Sequence, residues 1–211
     1  TTVKPLARNR VGIEIDIREG DVARIQGLNL TGNRAYEEKE LLANFELGPR
    51  GPLQFFSGND RYSQQRLTGD LESLRSHYLD RGYVDFSITS SQVSLTPDLE
   101  DVYIDINVDE GEQFTVSGTR LVGRFPIPRK ELKELVAIEP GEVFSRSRVT
   151  RTNERITERL AEEGFAFANV TPQPRFNRET REVAVTFRVD PGKRVYVRRI
   201  EITGNTKTKD R

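Results

Sequence analysis

His77 is the single histidine of the chain, and no cysteine accompanies it. An imidazole–thiolate metal site therefore has no ligand set, and neither a Cys–His pair nor a disulfide can form. His77 reads as an ordinary half-exposed helix residue beside Tyr78. No serine has a histidine partner placed by spacing, and no pair of carboxylates falls in a segment with the character of a cleft. The glycines cluster at turns and helix ends, and none forms the strand, glycine run and helix of a phosphate loop. Arg151, Arg155 and Arg159 recur at i, i+4 and i+8, but Glu154, Glu158 and Glu162 run beside them. That stripe reads as a solvated face with paired charge. No residue is assigned a catalytic, cofactor-binding or metal-binding role, and an enzyme is not expected.

What remains is the chemistry of the main chain. Residues 87–96 hold no charged side chain, in a chain of which 31% is charged. They alternate as a strand, with Phe86 and Ile88 at even positions and Val93 and Leu95 at odd ones, so the inward phase slips within 90–92. A β-bulge near Ser91 is the ordinary way to absorb such a slip. Phe165, Phe167 and Phe176 predict a similar slip later in the chain. An uncharged edge strand is open to strand addition, in which a partner's backbone supplies the hydrogen bonds. The candidate docking edge is Ile88, Ser90, Ser91, Gln92, Val93, Ser94, Leu95 and Thr96, with Val93 and Leu95 as side-chain contacts. Phe55 and Phe56 are adjacent in the loop 48–59, where they either meet a partner or fold back on the core.

The elements that must position this edge repeat. Ile13, Ile15 and Ile17 lead to Gly20, Ile104, Ile106 and Val108 lead to Gly111, and Val185, Phe187 and Val189 lead to Gly192, at steps of 91 and 81 residues between the glycines. Gly32-Asn33, Gly123-Arg124 and Gly204-Asn205 keep the same steps. In the first full copy, 24–30 is a short strand and 36–45 a short helix. Leu67, Leu71, Leu74 and Tyr78 then form one face of a longer helix closed by Gly82. Strands over 86–95 and 102–108 follow, joined through Thr96-Pro97-Asp98.

In the second copy, 116–122 is a strand and Pro128 opens a short helix carrying Leu132, Leu135 and Val136. A helix over 147–163 presents Val149, Ile156 and Leu160 and stops at Gly164. A hairpin of 165–176 with 183–189 closes the unit. The order β-α-α-β-β predicts an α+β fold of tandem modules, each with two helices on one face of a three-stranded mixed sheet and the other face wet. If the first strand pairs with the last, the penultimate strand is an edge. The expected domains are the end of a preceding module at 1–20, complete modules at 21–111 and 112–192, and the start of another at 193–211.

The formal net charge of zero is a sum of unlike parts. Residues 21–111 carry 8 basic against 16 acidic side chains, and 112–192 carry 14 against 12. The acidic surface of the first module argues against nucleic acid, whose phosphates need cations. No stretch approaches the roughly 18 apolar residues of a membrane helix. The absence of cysteine agrees with an oxidising compartment.

The residues carry a family likeness. The module order resembles that of POTRA domains, as do Leu30-Thr31-Gly32-Asn33, Gly69-Asp70-Leu71-Glu72-Ser73-Leu74-Arg75 and Tyr78-Leu79-Asp80-Arg81-Gly82-Tyr83. So do Gln92-Val93-Ser94-Leu95-Thr96-Pro97-Asp98, Ile138-Glu139-Pro140-Gly141-Glu142 and Tyr196-Val197-Arg198-Arg199-Ile200. The first full module looks like the third such domain of outer-membrane β-barrel assembly factors, and the second like the fourth. This resemblance implies a periplasmic arm at the Gram-negative outer membrane, in a protein anchored by a C-terminal barrel. Its implied partners are unfolded outer-membrane β-barrel proteins and accessory assembly lipoproteins, the propeller type at the third-like domain, engaged by β-strand augmentation. The alternatives are a POTRA array of a two-partner secretion or translocation-assembly transporter, or of a division protein.

Overall fold

The computed structural model describes residues 2–6, 10–14, 23–49, 59–196 and 199, and for 2–6 and 10–14 the backbone alone. Phe55, Phe56, Ile15, Ile17 and most of 193–211 lie outside the described residues. By contact the chain forms two compact units, Thr1–Glu72 with Ile88–Val108, and Ser73–Ser87 with Asp109–Arg211. An antiparallel pair, β1 (Thr2–Leu6) and β2 (Arg10–Glu14), comes first. The order is then β3 (Arg24–Thr31), α1 (Glu38–Leu42), α2 (Gln64–Leu79), β4 (Ser87–Leu95) and β5 (Asp101–Asp109). It repeats as β6 (Thr115–Gly123), α3 (Arg129–Glu134), α4 (Arg146–Glu162), β7 (Asn169–Asn177) and β8 (Glu182–Asp190).

Each repeat has its own three-stranded sheet, ordered β3-β5-β4 and β6-β8-β7, so the chain is α+β with mixed sheets. The first strand of each copy runs parallel to the last, and the penultimate strand is an edge. Alternation in the central strands decides which face is covered. Val102, Ile104, Ile106 and Val108 are buried in β5, as are Val183, Val185, Phe187 and Val189 in β8. In the second sheet these join Leu132 of α3 and Val149, Ile156 and Leu160 of α4 in one core. Both helices therefore lie on one side. Ser145 caps α4, accepting from the Arg148 N–H at 3.3 Å. Arg159 on that helix is held by Glu131 at 3.1 Å and Glu163 at 2.8 Å.

Several expectations are corrected. The short helix is α1 with its following turn, in which the Phe45 N–H reaches the Leu42 C=O. On α2 the buried positions are Leu67, Asp70, Leu74 and Tyr78, and Leu71 is only half-buried. The face is rotated toward Asp70 because its carboxylate has backbone N–H groups to accept from. No bulge interrupts β7. Its register with β8 is continuous from Asn169↔Asp190 to Asn177↔Glu182, and Phe165 and Phe167 precede the strand. The register shifts instead lie in the parallel pairs, between Ile25 and Gly27 and between Val116 and Gly118. In β4 the half-buried positions are Ile88, Ser90 and Val93. Ser90 stands by Asn107 and Thr96 by Asp101, six residues apart on both strands, so these contacts place no extra residue near Ser91.

The recurring glycine marker has a steric cause. A Cβ on Gly32 would sit 2.0 Å from the Val108 carbonyl oxygen, and one on Gly123 would sit 2.0 Å from that of Val189. Both have positive φ, at 91° and 114°. The first strand of each copy ends against the backbone of the last, where only glycine fits.

Candidate functional site: two unequal sheet edges

β4 pairs with β5 on one side only, and among the described residues no strand lies beyond it. At its far end the Thr96 N–H donates inward to the Asp101 C=O at 3.0 Å. Alternation then turns the N–H groups of Leu95 and Val93 toward the free side. Leu95 is 49% exposed and Val93 half-buried, so this side offers apolar side chains next to unpaired backbone. Ser91, Gln92 and Ser94 are exposed, and Ile88 is half-buried.

Two of the predicted edge residues are already engaged. Ser90 accepts a hydrogen bond from the Asn107 side chain at 2.6 Å, and the Thr96 hydroxyl accepts from the Asp101 N–H at 3.1 Å and bonds Asp98. That Thr96 hydrogen bond, with one from the Glu100 N–H, holds the Asp98 carboxyl below its usual value. Ser90 and Thr96 thus brace the hairpin, leaving Ser91 to Leu95 as the accessible run.

The equivalent edge is built differently. Counting back from the hairpin turn, Thr96 corresponds to Asn177, Val93 to Pro174 and Ser91 to Pro172, each 81 positions on. Pro172 lies opposite Phe187 and Pro174 opposite Val185. A proline nitrogen carries no hydrogen and cannot donate to β8, so both nitrogens face the free side. Two successive donors are missing where an added strand would need them. β4 holds no proline, and β7 holds two among nine residues. The two prolines were the signal in the sequence for this inequality; without the register, nothing said which way their nitrogens point.

The exposed face of the first sheet is a polar ladder. Gln26 donates to Asp101 at 2.8 Å, Asn29 donates to Asp105 at 2.9 Å, and Thr31 bonds Asn107, which continues to Ser90. It carries Asp101, Asp105 and Asp109, in keeping with the acidic composition.

Tandem α+β modules of one repeated order, each with a three-stranded mixed sheet whose penultimate strand is an edge, define the class of fold. The family model for POTRA, described as surface antigen variable number repeat, matches residues 23–111 and 114–192, and the chain belongs to this family. It is 32% identical over 209 residues to the outer membrane protein assembly factor BamA of Neisseria meningitidis serogroup B, covering 99% of this chain and 26% of that protein. To the BamA of Buchnera aphidicola it is 30% identical over 203 residues, covering 96% of this chain and 33% of the relative. The chain thus spans about a quarter to a third of these relatives. The crystal structure of Haemophilus influenzae BamA POTRA3-5 is similar, with a TM-score of 0.75, 28% identity, and coverage of 93% of this chain and 77% of that one.

Proposed function

We propose that the chain is part of a non-enzymatic periplasmic arm of the outer-membrane protein assembly machinery, on the periplasmic side of the Gram-negative outer membrane. Residues 21–111 act as a third-like POTRA domain and 112–192 as a fourth-like one. The arm captures extended segments of unfolded β-barrel proteins and docks accessory assembly lipoproteins by adding their strands to β4. The observation that carries this reading is the outer edge of β4, unpaired, uncharged and free of proline. Main-chain hydrogen bonds supply most of the affinity in such a contact, so many sequences can be received.

NMR titration of the chain with strand peptides from outer-membrane β-barrel proteins tests it. The amides of 87–96 should shift and those of 169–177 should stay. Val93→Pro should abolish the shifts, and β7 shows that this sheet position accepts proline. Unchanged binding by that variant would remove β4 as the docking edge.

A further inference from the structure

The two open sheet faces differ at one matched place. In the first sheet Gly27 stands opposite Tyr103, and a Cβ on Gly27 would lie 2.9 Å from the tyrosine ring. The ring therefore lies over the glycine and fills the hollow left by its missing side chain. In the second sheet the same position after the register shift is Gly118, and it stands opposite Ala184. A Cβ on Gly118 would meet nothing within 4 Å. The hollow is open there, as part of a depression of about 570 Å³ on the face of β6, β8 and β7.

Its rim is cationic. Arg120, Arg175 and Arg188 line the depression, and all three are exposed. None makes an ion pair or side-chain hydrogen bond with another described residue. The acidic side chains on this face stand at its two ends. Asp190 is paired with Arg124 at 2.6 Å, and Glu182 accepts from Thr180 at 3.0 Å. Three uncompensated guanidinium groups around a hollow floored by Gly118 and Ala184 attract carboxylates and stack on rings.

We propose that this open face is a docking site for an acidic protein segment presenting an aromatic side chain. The ring enters the hollow over Gly118 and Ala184, as Tyr103 does within the first sheet, and the carboxylates meet Arg120, Arg175 and Arg188. A buried aromatic anchor within a charged rim is the usual composition of a small protein contact. The site is on the sheet face and does not depend on strand addition at β4.

The probe is the blocked peptide Glu-Glu-Phe-Glu-Glu, titrated at low salt into the full chain and followed by NMR. The amides of Gly118, Arg120, Ala184 and Thr186 should shift. Affinity should fall at least tenfold when the peptide's Phe is replaced by Ala, or when Arg120 and Arg188 are both changed to Gln. Ala184→Tyr should close the hollow from within and cause a similar loss, with the thermal unfolding transition showing that the variant still folds. Absence of shifts at Gly118 and Ala184 with millimolar peptide would overturn the proposal. So would unchanged binding by Ala184→Tyr, or binding of phosphatidylglycerol vesicles at these residues without binding of the peptide.

Discussion

Asp70 is a carboxylate placed on the helix face that the leucines define, and its surroundings explain why it is there. It accepts from the Glu46 N–H at 2.7 Å and the Leu47 N–H at 3.0 Å, and so fastens the chain leaving α1, whose next residue inward, Leu47, is buried. Removing it in Asp70→Ala leaves two donors without an acceptor and should destabilise the fold by roughly 1–3 kcal/mol, measured by urea denaturation. Burial raises its pKa above the ordinary 3.8, against the opposing pull of the two N–H groups. Its folded value then exceeds its unfolded value. Stability from this group is greatest below the unfolded pKa and declines as pH rises through the folded one. The stability of the wild type minus that of the non-titrating Asp70→Asn should therefore fall as pH rises from the unfolded value through the raised one. A rise in that signed difference over the same window would contradict the burial argument. Tyr78 is fully buried, stacks on Phe86 at 4.2 Å and donates to Glu110 at 2.7 Å. Tyr78→Phe should cost about 1–3 kcal/mol by leaving that carboxylate without this donor. Leu74→Ala should cost about 2–5 kcal/mol through the cavity, and Leu71→Ala less, because Leu71 is half-exposed.

At the scale of elements, helices and central strands were legible because each follows one period. Val102 to Val108 and Val183 to Val189 alternate without a break, and the structure buries the same residues. The long helix over Arg146–Glu162 lies within a residue of its expected bounds, between a serine cap and Gly164. The edge strands were harder. The phenylalanines before β7 imitate a phase slip because they belong to the loop leading into it. The real register shifts, beside Gln26 and Ser117, leave little trace in the polarity pattern. Only pairing reveals which residue has no partner opposite. The two edges also yield a reciprocal prediction. Replacing Pro172 with Ser and Pro174 with Val should restore two outward donors to β7, and amides of 169–177 should then respond to the strand peptides that move 87–96 in the wild type. If the doubly substituted β7 remains silent, features other than missing donors protect that edge.

For the molecule as a whole, the repeat with its two steps and the β-α-α-β-β order followed from the sequence alone. Apolar periodicity, turn glycines and charge are local properties that survive without coordinates. The charge contrast was equally visible, with acidic side chains outnumbering basic ones two to one in the first copy and a slight basic excess in the second. What the sequence could not supply was neighbourhood across strands. That Tyr103 lies over Gly27 while Ala184 leaves Gly118 uncovered depends on a parallel pairing between residues 76 and 66 positions apart. That the nitrogens of Pro172 and Pro174 face outward depends on the register with β8. Local pattern determines which segments become strands and which face is buried. Pairing between distant segments decides which backbone groups and which hollows remain open, and the proposed contacts rest on those openings.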